Sequence, residues 1–142
     1  KFNRHQFFIQ RGKDSLKVEI VYYTFPPLRK PKLLREFGVR VDALEDIAAN
    51  KAHALFERVE PKDVVDVYII LKKLNIPIPA LLKLVQKKFG AEIDPALFAG
   101  KALEVAEYVK NIRPLLLKNI SIKEIKKFFQ TQGVQYLKKQ LK

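Results

Sequence analysis

Residues 51–71 read KAHALFERVEPKDVVDVYIIL and set a lysine, an arginine and two aspartates into the most apolar part of the chain. A lysine ammonium can meet phosphate charge, and a carboxylate can orient it or bind a metal. At about 100° per residue, Leu44, Ile47, Lys51, Leu55 and Arg58 fall within about 40° of one line on a helix, so Lys51 sits inside an apolar stripe. Glu60 and Pro61 break that helix, and Pro61 suits the first position of the next, where a missing N–H costs nothing. On the second helix Asp63 shares a face with Val67, Ile70 and Leu74, with Asp66 about 60° to one side. Ionisable groups at such positions are costly unless paired. Each also has a reading without chemistry. Asp63 lies in a first helical turn, where the helix dipole favours a carboxylate by roughly 0.3–1 kcal/mol. Lys51 can lay its stem on apolar surface and keep its charge in water. Arg58 with Asp63 or Asp66 can be an ion pair joining two helices.

Other chemistries are excluded more easily. The chain has no cysteine, which removes disulfides, thiol catalysis and cysteine-ligated zinc and is compatible with a cytoplasmic protein. His5 and His53 have no partners at metal-site spacing, and His53 lies about 200° round the helix from Lys51, a surface or packing position. No apolar run reaches about 18 residues, so no membrane span is expected. The net charge of +13 is unevenly distributed. Residues 1–40 hold 10 Lys/Arg against 3 Asp/Glu, residues 41–100 hold 8 against 9, and residues 101–142 hold 10 against 3. Basic ends around a neutral centre suit an anionic partner, nucleic acid foremost; a lysine-rich solvated surface is the alternative.

These residues must be positioned by a small set of elements. QFFIQ (6–10) and LKVEIVYY (16–23) flank the turn residues RGKDS and predict a β-hairpin with a five-residue loop. Glu19 lies in mid-strand between Val18 and Ile20, where a half-buried strand faces solvent on alternate residues. TFPPLRKPK then ends the sheet as an extended connector. From Lys32 onward the pattern reads as about six helices. LLREFG closes at Gly38; the second helix is capped by Asp42; others start at Pro61 and Ile78. Asp94 caps another, and Ser121 with Glu124 forms a capping box for the last, in which Gly133 is a potential kink. The expected organisation is therefore α+β and predominantly α: residues 1–31 a hairpin and connector, residues 32–142 a helical domain.

The run K-A-H-A-L-F-E-R followed by K-D-V-V-D-V-Y-I-I-L resembles the signature K-x-x-A-L-x-x-R … [KR]-D-x-x-D-[hydrophobic]-Y-x-L of the AbiEii/AbiGii family, nucleotidyltransferase toxins of abortive-infection systems with a polymerase-β-like fold. The strand LKVEIVYYTFPP is similar to that family's hydrophobic-carboxylate-hydrophobic strand. The resemblance covers roughly residues 5–75. It implies a magnesium-dependent transfer of a nucleotide from an NTP to an acceptor of the tRNA class, and a cognate antitoxin partner. It also implies that Glu19 is a metal carboxylate, Lys51 contacts the nucleotide phosphates, Asp63 orients or activates the site, and Asp66 and Arg58 support it.

The family pattern further requires a Gly-Ser or Gly-Gly turn and an Asp-x-Asp pair before the Glu19 strand. Neither occurs here, and Gly12-Lys13-Asp14 is a hairpin turn. The expectation is a C-terminal part of such an enzyme, inactive alone, with the metal-binding half upstream or on another chain. The other class left open is a non-catalytic basic helical module for nucleic acid or a partner protein. It would use Lys118, Lys123, Lys126, Lys127, Lys138 and Lys139 near Phe128, Phe129 and Tyr136, although helical spacing favours these aromatics as core.

Overall fold

The computed structural model describes residues 4–110 and 120–142, so Lys118 lies outside the described residues. The chain opens with an antiparallel hairpin, β1 (Arg4–Arg11) and β2 (Asp14–Val21). Arg11 pairs with Asp14, so the connection is two residues and not five, and Gly12 takes the positive φ of +61° that so tight a turn needs. The register puts Phe7 beside Val18 and Ile9 beside Leu16 on one face, and Gln6 beside Glu19 on the other. The apolar face is open: Phe7 is 50% and Ile9 55% exposed.

LLREFG is not a helix. Lys32–Leu34 (β3) and Val39–Val41 (β4) pair as a second antiparallel hairpin, with Phe37 N and Gly38 N donating to Leu34 O and Arg35 O in the turn. A Gly after a short apolar run signals a helix end and a hairpin turn alike. Here Gly38 has φ +63°, and the β-branched Val39 and Val41 alternate across Arg40 as a strand requires. The helical part accordingly begins at Leu44, not at residue 32.

Among the described residues five α-helices follow: α1 (Leu44–Glu57), α2 (Pro61–Leu74), α3 (Ile78–Phe89), α4 (Pro95–Ala106) and α5 (Ile122–Gln140). Their punctuation follows local chemistry. Pro61 opens α2, and Asn75 closes it in the left-handed region. Gly90 does the same for α3 at φ +71°. Asp94 accepts from the backbone N–H groups of Ala96 and Leu97, and Ser121 accepts from Glu124 N. Asp42 is not a cap: Ala43 holds that position with no side-chain bond.

The core lies between the helices, with Leu55, Val64, Leu81, Val85, Phe98, Phe129 and Ile125 fully buried. The buried face of α1 is Ala48, Ala49, Ala52 and Leu55, whereas Ile47 is 37% exposed. The stripe through Ile47 and Lys51 is thus the flank of the helix and not its centre, because alanines let α1 pack closely against α3. Gly133 does not split α5, which runs unbroken from Ile122 to Gln140. It lies where α5 meets α4, and a Cβ there would stand 3.1 Å from Ala99 Cβ.

The connector is tied to the bundle by Asp46, in the first turn of α1 and 0% exposed. Its carboxylate accepts from Leu28 N (2.7 Å), Arg29 N (3.0 Å) and Lys88 Nζ (2.7 Å), the last from α3. Aromatic contacts reinforce the junction. Phe25 meets Phe89 edge-on at 4.8 Å, His53 stacks on Phe89 at 4.4 Å, and Tyr23 donates to Asn50 Oδ1 at 2.8 Å. Burial works against the Asp46 charge, but the bonds from Lys88, Leu28 and Arg29 outweigh it and hold its pKa below the ordinary value.

Two outcomes follow from this junction. Lys88→Met should cost about 3–5 kcal/mol in urea unfolding, because Asp46 stays buried without its cation, and Asp46→Asn with Lys88→Met should cost less than Lys88→Met alone. The Asp46 contribution should be complete above its unfolded pKa of about 3.9 and disappear as pH falls through the lower folded value. Stability curves against pH should therefore lose part of their acid limb in Asp46→Asn.

Candidate functional site

The α1–α2 junction gathers four of the five candidate residues. Lys51 comes from the flank of α1, and Arg58 is the residue at which α1 ends, with an extended backbone (φ −143°). Val59 and Glu60 reverse the chain. Pro61 then starts α2, which delivers Asp63 in its first turn and Asp66 one turn later. Both Asp63 oxygens are occupied: Oδ1 accepts from Lys51 Nζ at 3.1 Å, and Oδ2 from Arg58 Nε at 2.9 Å. Lys51 Nζ also lies 2.7 Å from Asp66 Oδ2.

Burial divides the cluster. The Asp63 side chain is 0% exposed, those of Lys51 and Asp66 are 30% and 41%, and that of Arg58 is 52%. Asp63 is therefore a buried carboxylate beneath two cations, each of its oxygens accepting from one of them. The side chains of Lys51, Asp66 and Arg58 are the parts that reach solvent. Partial burial disfavours the Lys51 charge, but the hydrogen bonds to Asp66 and Asp63 outweigh it and raise its pKa above the ordinary lysine value. Lys51 is a fixed cation at neutral pH and not a base.

Glu19 stands apart from this cluster. Its partners are all on its own hairpin: Arg4 Nη2, Lys17 Nζ and Gln6 Nε2, the last at 3.1 Å. The bonds from Arg4 and then Lys17 lower its pKa to about 2. With both oxygens engaged by cations and no second carboxylate beside it, Glu19 does not form a magnesium site with the residues around it. Among the described residues no group of three or more His, Asp or Glu side chains converges as a metal site.

A lysine held by two aspartates across a proline-started helix junction is the geometry that the K-x-x-A-L-x-x-R and K-D-x-x-D runs encode. The family model of the nucleotidyl transferase AbiEii toxin of type IV toxin–antitoxin systems matches residues 3–140. The chain belongs to the AbiEii family. It is also 27% identical over 126 residues to aq_aa25, an uncharacterized protein of Aquifex aeolicus (strain VF5), covering 87% of this chain and 59% of that protein. The chain thus spans about three-fifths of that relative's length. No solved structure matches it. In the described residues of this AbiEii chain no helix is long and apolar enough to cross a membrane.

Asp46 and Lys88 were missed as a functional pair by sequence reasoning. The available signal was Asp46 two residues before the buried Ala48-Ala49 run, but its lysine partner lies 42 residues away. Asp46 fixes the connector that follows β2 onto the start of α1 through Leu28 N and Arg29 N.

Because the buried member of the cluster is the carboxylate, stripping its cations should be the costly change. Lys51→Met leaves Arg58 on Asp63 and should cost about 1–3 kcal/mol. Adding Arg58→Met should bring the total to roughly 3–5 kcal/mol, and Asp63→Asn in that background should recover part of it. Urea unfolding of the three variants checks the order. The Lys51 contribution should be fully present below about pH 10.4 and be lost only as pH rises through its higher folded pKa.

Proposed function

We propose that this chain supplies the phosphate-binding side of a nucleotidyltransferase that moves a nucleotide from an NTP to an RNA acceptor of the tRNA class, as the toxin of a toxin–antitoxin pair. The observation that carries this reading is the Lys51 ammonium, held between a buried Asp63 and an exposed Asp66 with Arg58 alongside. A cation fixed before substrate arrives needs little reorganisation as charge develops on a transferring phosphoryl group. Lys51 binds the nucleotide phosphates, exchanging Asp66 for a phosphate oxygen while Asp63 keeps its stem in place. Arg58 adds planar donors suited to phosphate. Asp63 acts as a positioning residue, and Asp66 as the exchangeable counter-ion.

In this reading the β1–β2 hairpin is the edge of a polymerase-β-like sheet, and its open apolar face is supported by the rest of that sheet and its covering layer. Glu19 joins further carboxylates outside this chain. No catalytic step is assigned to a metal from the residues described here.

The test uses the full-length polypeptide, labelled NTPs with magnesium, and tRNA. Lys51→Met should lower label transfer by about 100-fold or more, on the scale of losing one preorganised charge-stabilising donor, with the fold intact by circular dichroism. Transfer unchanged in Lys51→Met sinks the role of the lysine. The second reading, a basic helical module without catalysis, is favoured by the lysines of α5, Lys123, Lys126, Lys127, Lys138 and Lys139. RNA binding without label transfer in the full-length polypeptide would select it.

A further inference from the structure

Three small hollows adjoin one another, two along α5 and the third leading from Tyr136 of α5 onto α3 and the α3–α4 connection. The first is lined by Lys72, Asn75, Pro77, Phe128 and Gln132. The middle one shares Pro77 and Gln132 with it and continues past Gln135, Tyr136 and Lys139. The third shares Pro79 and Tyr136 with the middle one and runs on between Lys83 and Ile93. Their volumes are about 310, 330 and 320 Å³, each near the lower end of what a compact small ligand occupies. A linked row of such hollows suits a polymer with a short repeat better than one compact molecule.

The chemistry of the lining identifies the polymer. Each hollow has one lysine, Lys72, Lys139 or Lys83 in turn, and all three are exposed. Among the described residues none of the three is paired with a carboxylate, whereas Lys126 on the same helix is engaged by Glu107. The lining contains one carboxylate, Glu92, which accepts from Gln86 Nε2 at 2.7 Å. Asn75, Gln132, Gln135 and Gln140 add amides that both donate and accept, the pattern needed for base edges. Gln132 spends its oxygen on Ile78 N at 3.3 Å, which turns its NH₂ to other partners. Tyr136, half-buried between the second and third hollows, presents a ring on which a base can stack. Phe129 is fully buried and unavailable for this, and Phe128 packs edge-on against Tyr68 at 5.3 Å.

We propose that this groove, which runs from the α2–α3 connection past α5 to α3 and the α3–α4 connection, is a track for single-stranded RNA. Lys72, Lys139 and Lys83 meet successive phosphates, and Tyr136 with the glutamine amides meets the bases. The inference rests on the RNA-acceptor part of the function proposed above and locates where that acceptor lies.

The full chain is titrated with a short fluorescent single-stranded RNA, with the same sequence as a duplex, with phosphatidylserine vesicles and with polyglutamate. Three phosphate contacts should give a log–log salt slope of about −2, a loss of roughly 20-fold between about 50 and 200 mM salt. Lys72→Gln, Lys83→Gln and Lys139→Gln together should abolish that slope. The same charge removed at Lys13, Lys32 and Lys62, none of which lines the groove, should leave it in place. Tyr136→Leu, which keeps the apolar bulk, should weaken binding by about 5-fold or more. Equal weakening by the two lysine sets, no RNA binding near 50 mM salt, or equal affinity for duplex, vesicles or polyglutamate overturns the proposal. In the full-length polypeptide, nucleotide transfer to RNA with an unchanged acceptor KM in the groove triple variant overturns the groove and leaves the transferase reading standing. RNA binding in the groove without any transfer does the reverse.

Discussion

The Asp46 carboxylate has no water to turn to, and most of the arrangement around the candidate site depends on how it is satisfied. Two backbone N–H groups of the connector and the ammonium of Lys88 fill its oxygens. A charge so buried is tolerated only when all of these donors are present together. That condition makes the connector, the start of α1 and the end of α3 a single unit. Beside these bonds the connector is held by Leu28 against the core and by Phe25 against Phe89. The aromatic contacts of Tyr23, Phe25, His53 and Phe89 then cover the junction and keep it dry.

The Lys51 cluster obeys the same rule with a different result. Asp63 is as buried as Asp46, yet its cations lie at the protein's edge and keep access to solvent. One carboxylate locks structure; the other holds charge ready for an anion. The difference comes from position on the helices. Asp46 faces α3 and the connector, where only Lys88 can enter, while Asp63 sits at a helix junction whose opposite side is open. A buried anion beneath two partly exposed cations is a stable way to keep positive charge pointed outward, because Asp63 offsets the self-repulsion of Lys51 and Arg58.

Legibility in the sequence varied with the range of the interaction. The helix boundaries at Pro61, Ile78, Gly90, Asp94 and Ser121 were readable because each rests on a residue with its own backbone or capping chemistry. LLREFG was misread as helix since Gly38 closes either element, and the strands it joins are too short to show a period. Gly133 suggested a kink, and it marks a close approach of α4, which only the neighbouring helix reveals. Of the site, Lys51, Arg58, Asp63 and Asp66 were legible through the spacing of a family motif, and the structure brings them within ion-pairing distance of one another. That Asp63 lies buried beneath both cations depends on the packing of α1 on α2, and that Glu19 is engaged by Arg4 and Lys17 depends on the hairpin register, neither of which motif spacing expresses.

By itself, the sequence determined the α-rich α+β composition, the caps and breaks of most helices, the absence of thiol chemistry and the placing of a lysine and two aspartates on adjoining helices. These follow from local rules acting over a few residues. Tertiary structure alone decided that alanines and not Ile47 form the inner face of α1, that Lys88 crosses to Asp46, and that Lys72, Lys83 and Lys139 line one groove. Each of those depends on contacts between residues far apart in the chain, where burial and the demand that every buried charge find a partner choose among options the local pattern leaves equal.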